Sequence, residues 1–304
     1  MAFDNILHKI NKRASDTSDE PQKNINKVTS DKARELIKTL SGGEVRYTKK
    51  IIDNVVVFTG ASGGTGVSTI VANVAHLASL KGLRVLVIDL DIMYPTQQVF
   101  FGAKEQELTK PDLVGYLTGK NTLGDSIENR GNISLWYANN RTLMDSINAE
   151  SDIAITNFNE ALHKVRQLFD LVLIDCPLKV EHTLCNTAFY EADSIYSVWD
   201  EGISSIANTE RIRRNMAASG IDAYTKMKVI LNKRTGIHYN NYPFQKLNIE
   251  LVEILPFEQD IIYSSLRSEI FCDKGASKSK NANIFYSGMV SLTDNILKNG
   301  GYIE

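Results

Sequence analysis

The chain has 304 residues, 43% of them apolar and 23% charged, enough for one large core or one domain with an appendage. A formal net charge of -2 excludes a global electrostatic drive toward nucleic acid or anionic lipid, so any such contact has to be a local patch. No apolar run approaches the roughly 18–20 residues of a membrane span, and Cys176, Cys185 and Cys272 form neither a CxxC pair nor a disulfide framework.

The N-terminus lacks the uninterrupted apolar core of a signal peptide, so the expectation is a cytoplasmic protein. His8, His76, His163, His182 and His238 are scattered, none at metal-ligand spacing from a cysteine, and no structural metal site is expected. In "MAFDNILHKINKR", Phe3, Ile6, Leu7 and Ile10 share one helical face, which makes residues 1–13 an expected amphipathic docking helix. Residues 14–50 then read as a polar tether followed by a short helix, with Ser30 as N-cap and Gly42 or Gly43 past its end.

From residue 51 to 304 the pattern changes to a single folded unit. "NVVVFT", "RVLVIDLD", "ISLWYA", "DLVLIDC", "SIYSVWD", "KMKVILN" and "LVEIL" are short apolar runs, several of them rich in β-branched residues. Helical stretches over 67–80, 155–169 and 204–218 separate several of them, and "NANIFYSGMVSLTDNILK" reads as a closing helix. Continuous rather than alternating hydrophobicity is what strands covered on both faces require. The expected fold class is therefore α/β: a mostly parallel sheet with helices on both faces.

The first strand runs into "GASGGTGVST", a turn with Gly60, Gly63, Gly64 and Gly66 that opens a helix. Glycines let such a backbone take positive φ and turn its N–H groups around an anion, and the helix N-terminus adds partial positive charge at the same point. In this layout Gly63, Gly64, Thr65, Gly66 and Val67 form the cradle. Ser68 is placed to ligate Mg²⁺, and Thr69 to donate to an α-phosphate.

"SGGTGVST" resembles the deviant Walker A box of the MinD/ParA-type ATPases, a P-loop NTPase family, with further landmarks in order over roughly residues 52–298. The resemblance makes "VLVIDLDIMYPTQQVFFG" the switch I segment, where Asp91 orients an attacking water. It makes "DLVLIDCP" the Walker B strand, with Asp175 on Mg²⁺. Asp89 either joins that metal site or caps the next turn. "VILNKR" then supplies Asn232 to read the adenine amino group, and Pro256 and Phe257 open a purine-side loop. ATP or ADP with Mg²⁺ is the implied cofactor.

Two family lysines are missing, one replaced by Ser62 and the other by Val67. Losing the second, which bridges the β- and γ-phosphates, implies weakened binding and a larger loss in the chemical step, so little or no hydrolysis is expected and any role of Asp91 is vestigial. Ser62 cannot reach across a dimer to the partner's phosphates, as the family's first lysine does. The degraded box, and "PDLVGYLTGKNTLGDSI" followed by "NISLWYA", resemble the CpaE/TadZ branch, the localisation factors of tight-adherence pilus secretion. That branch usually carries an N-terminal receiver-like domain, which fifty mostly polar residues cannot build. A spatial factor of conjugation, secretion or another cell-pole machine therefore stays open.

The implied partners are protein components of a membrane-associated assembly, engaged through residues 1–13. A homodimer and peripheral membrane contact stay open. The alternative reading is a ParA-type DNA-partitioning ATPase, in which Arg211, Arg213, Arg214, Lys274, Lys278 and Lys280 would contact phosphates. A tyrosine-kinase-like P-loop domain ranks last, because that class needs the missing lysine.

Overall fold

The apolar runs become strands buried on both faces. In β1 (Val55–Gly60) every residue is buried, and the side-chain period of two sends Val55 and Val57 into one core and Val56 and Phe58 into the other. The computed structural model describes residues 53–102, 110–139, 151–177, 183–236, 242–274 and 279–302. The expected docking helix at 1–13, the tether and short helix at 14–50, and Lys278 lie outside the described residues.

Seven further strands follow: β2 (Val85–Asp89), β3 (Glu128–Arg130), β4 (Ile133–Trp136), β5 (Leu171–Cys176), β6 (Ser194–Trp199), β7 (Met227–Arg234) and β8 (Glu250–Pro256). They form an 8-stranded sheet in the order β3-β4-β2-β5-β1-β6-β7-β8. All described pairings are parallel except β3 with β4 at one edge. The expected mostly parallel α/β sheet is therefore what the chain forms. The antiparallel β3 was not anticipated, since three half-buried residues carry no apolar run to betray a strand.

Helices cover both faces. Helix α1 (Val67–Leu80) spans the expected residues and packs Ile70, Val71 and Val74 on the core it shares with Phe285 and Met289 of α5 (Lys280–Asn299). The opposite core takes Phe158 and Leu162 of α2 (Asp152–Leu168), Leu184 and Phe189 of α3 (Thr183–Glu191), and Ile212 and Met216 of α4 (Ile203–Ala218). Helix α2 starts earlier than its apolar pattern does, because Ser151 caps it by accepting from the Ala154 amide. Among the described residues no helix is long and apolar enough to cross a membrane.

Parallel strands bring all their carboxyl ends to one edge. Gly60 ends β1, Asp89 ends β2, Asp175 lies at the end of β5, Asn232 lies near the end of β7, and Pro256 ends β8. With β1 between β5 and β6, the glycine loop leaves the sheet where chain connections diverge to either side, the crevice in which open α/β sheets hold ligands.

Candidate functional site

The loop after β1 is held at its root and open at its rim. The Ala61 amide donates to the Val198 carbonyl at 2.9 Å, and Asn208 Nδ2 donates to the Ala61 carbonyl at 2.9 Å. Gly64 and Gly66 take left-handed φ values of 73° and 95°. Gly66 caps α1 without any side-chain hydrogen bond, and the first helical bond is from the Ile70 amide to its carbonyl at 3.1 Å. The amides before Ile70 thus face a cleft of about 390 Å³ lined by residues of the loop, including Ser62, Gly63, Gly64, Thr65, Gly66, Val67, Ser68 and Thr69. An uncapped helix start, glycine amides and the hydroxyls of Ser68 and Thr69 are the donor chemistry an oxyanion needs, and the cleft has room for a phosphate chain.

Val67 is the first residue of α1. It lines the cleft and packs against the α1 core, contributing only methyl groups. Ser62 turns to its own chain, donating to Asp200 Oδ2 at 3.4 Å. Burial pushes the Asp200 carboxyl up, but donation from Ser205, Gly202 and Ser62 outweighs it and holds the group below the usual carboxylate range.

The acidic wall shows a division of labour. Asp89 is buried, and both oxygens are occupied: Oδ1 accepts from the Asp91 amide at 3.0 Å, and Oδ2 accepts from Thr96 and Gln97 amides at 2.8 and 2.9 Å. Of the two roles open to it from sequence, the geometry here is that of a turn anchor. Burial first, and then the nearby Asp175, push its carboxyl up to about 8 against these three amides. Asp175 lines the cleft and accepts from Gln97 Nε2 at 2.7 Å, while the same nitrogen donates to the Ser68 carbonyl at 3.1 Å. Burial raises Asp175 as well; hydrogen bonds from Gln97 and Ser68 pull it back, and Asp91 adds repulsion. Asp91 also lines the cleft, and its Oδ1 accepts from the Tyr94 amide at 3.0 Å.

A second groove of about 160 Å³ adjoins the first, with Gly66 and Thr69 as its floor and Asn232, Pro256 and Phe257 among its walls. The three residues expected on the purine side therefore meet beside the loop. Asn232 is buried and donates from Nδ2 to the Thr65 carbonyl at 2.8 Å, which draws β7 onto the loop. Gly66 has to be glycine here: a Cβ would sit 2.6 Å from that same Nδ2.

Gln97 and Lys233 were not singled out from the sequence. Gln97 lies within the switch I resemblance and is tied to its partners by contacts 29 and 78 residues away, which local pattern does not reveal. Lys233 lines both the cleft and the groove and donates from Nζ to the Gly64 carbonyl at 2.5 Å. Its one sequence signal is adjacency to Asn232.

The basic cluster suggested for phosphates needs correction. Arg213 is buried, donates to the Leu247 carbonyl at 2.6 Å and stacks its guanidinium 4.2 Å from the Tyr224 ring centroid. Sequence spacing placed it beside exposed Arg211 and Arg214, but the α4 periodicity turns it inward. Arg214 pairs with Glu210 and Lys274 with Glu269.

Residues 53–216 match the family described as an AAA domain. The septum site-determining protein MinD of Synechocystis is 23% identical over 72% of this chain and 81% of its own length. The MinD of Pyrococcus horikoshii, solved as a complex with Mg-ADP, superposes with a TM-score of 0.67 at 18% identity, covering 81% of this chain and 96% of that one. A ParA family ATPase of Chlorobium tepidum superposes at 0.65 and 18% identity, covering 79% and 97%. With its glycine loop between β1 and α1 and its parallel strand order, this chain belongs to the AAA domain family and has the fold of the MinD/ParA-type P-loop ATPases.

Proposed function

We propose that this protein is a degenerate MinD/ParA-like nucleotide-binding protein that positions a larger assembly, with little or no ATP hydrolysis. One observation carries the reading: the α1 N-terminus opens uncapped into a cleft of about 390 Å³ to which Val67 presents only methyl groups, at the position where the resemblance leads one to expect a lysine. Loop amides from Gly63 to Thr69 would hold the phosphates of ATP or ADP, and Asn232, Pro256 and Phe257 would flank the base. Ser68 and Asp175 would hold Mg²⁺, whose contribution when bound is to neutralise charge on the phosphate oxygens. Asp89 would keep the turn that presents Asp91 and Gln97.

Binding without turnover suits a localisation factor of the CpaE/TadZ kind or a related spatial factor for secretion, pilus or conjugation machinery. Residues 1–13 would be its docking element on the tether of 14–50, and residues 51–304 the nucleotide-binding unit. The DNA-partitioning alternative is weakened by the inward position of Arg213 and the paired state of Arg214 and Lys274. Deleting residues 1–13 is expected to disperse a fluorescent fusion while preserving a cooperative melt. Loss of that melt would place the helix in the core instead.

Calorimetric titration with Mg-ATP tests the nucleotide reading. The unaltered chain is expected to bind, and Asp175→Ala to bind about tenfold or more weakly, the scale on which metal-site partners act. Among the described residues no Lys or Arg pairs with Asp175, and Gln97 Nε2 keeps its bond to the Ser68 carbonyl when the carboxylate is removed, so lost binding reads as lost ligation. An identical titration for the variant would remove magnesium from the account.

A further inference from the structure

Lys233 sits where no local pattern asks for a lysine. It occupies a left-handed conformation with φ 58°, uncommon for a residue with a side chain, on the irregular end of β7. There Leu231 pairs with Ile254 and Arg234 with Pro256, so β7 spends three steps against two on β8. Such a bulge re-aims a side chain, and here the lysine folds back over the glycine loop. Nζ reaches the Gly64 carbonyl at 2.5 Å, across 169 residues of sequence.

The surroundings make this more than a surface lysine. Among the described residues lining the phosphate cleft, Lys233 is the single Lys or Arg, facing a wall that contains Asp91 and Asp175. It forms no ion pair among the described residues, and its position at the seam places it also in the groove with Asn232. An ammonium has three N–H donors, so one bond to a neutral carbonyl leaves others for an anion. A phosphate oxygen is the stronger acceptor, because its negative charge attracts the ammonium where the carbonyl offers only a dipole.

We infer that Lys233, delivered from β7, is the cation that binds the outer phosphates of a nucleotide in place of the residue replaced by Val67. This rests on the nucleotide-binding reading and adds a residue to it. The lysine acts from outside the loop, on a strand end whose preceding residue, Asn232, is itself hydrogen-bonded to the loop. Phosphate grip and base groove are thereby mechanically joined through two consecutive residues.

The test compares Mg-ATP, Mg-ADP and AMP binding to the full chain by calorimetry. The variants are Lys233→Asn, whose side chain tolerates positive φ, and Lys233→Arg, which keeps the charge. A phosphate cation predicts that Lys233→Asn loses about tenfold or more for Mg-ATP and less than about twofold for AMP. Lys233→Arg should retain most of the Mg-ATP affinity, and adding Val67→Lys to Lys233→Asn should recover it. Should the Asn variant not melt cooperatively, Lys233→Gly, the least strained residue at this φ, provides the same comparison.

Equal losses for all three nucleotides would show a lysine that merely latches the loop, and would overturn the inference while leaving nucleotide binding intact. An unchanged Mg-ATP affinity in Lys233→Asn, or an Arg variant as weak as Asn, would overturn it too. Failure of the unaltered protein to bind millimolar Mg-ATP would overturn both this inference and the reading beneath it.

Discussion

Val67→Lys is expected to tighten Mg-ATP binding by about one to two decades, the equivalent of a charge-assisted hydrogen bond of about 1.5–3 kcal/mol. Val67 is the first residue of α1 and lines the cleft directly, so a longer side chain at this position can follow the helix start toward bound phosphates. The apolar stem of lysine can keep the contacts that Val67 makes with the α1 core, leaving the ammonium in the cleft. If Lys233 already supplies one cation, the gain falls at the lower end of the range and is larger in a Lys233→Asn background.

Turnover separates binding from chemistry. Removing one group that stabilises developing charge typically costs about a hundred- to a thousand-fold in rate, so the unaltered protein is expected to release phosphate near background. Calorimetry and a phosphate-release assay on the two proteins read both effects. Turnover by the unaltered chain equal to that of Val67→Lys would end the scaffold reading, because the methyl groups of Val67 would then cost the chemical step nothing.

Gly66→Ala is expected to be far more damaging than the same change at Gly63. The left-handed φ of 95° costs a residue with a Cβ about 1–2 kcal/mol. The added carbon would also meet Asn232 Nδ2 at 2.6 Å and push it off the Thr65 carbonyl, where a buried unsatisfied group costs about 1–3 kcal/mol. Together these predict a loss of about 2–5 kcal/mol in stability, the range that strained backbone and broken buried hydrogen bonds reach. Nucleotide binding should fall with it, since the same shift opens the seam between phosphate cleft and base groove.

Gly63→Ala is the matched control. A Cβ there meets nothing within 4 Å, so denaturant unfolding should stay within about 0.5 kcal/mol of the parent. If Gly66→Ala unfolds at the same denaturant midpoint as Gly63→Ala, the contact between Asn232 and the loop does not hold the site together.

What could be read from the sequence was contiguous. The buried strands, the glycine loop and the start and end of α1 follow from runs of neighbouring residues whose hydrophobic period and φ preferences act locally. Once those strands are parallel, their carboxyl ends share an edge, and Asp175, Asn232 and Pro256 meet beside the loop without further information. Tertiary packing decided the rest. It occupied both oxygens of Asp89 with backbone amides, placed Gln97 between Ser68 and Asp175, turned Arg213 into the core and folded Lys233 over Gly64. A side chain's partner across many residues depends on helix phase, a strand bulge and which element lies opposite, and none of these is encoded in the few residues around it.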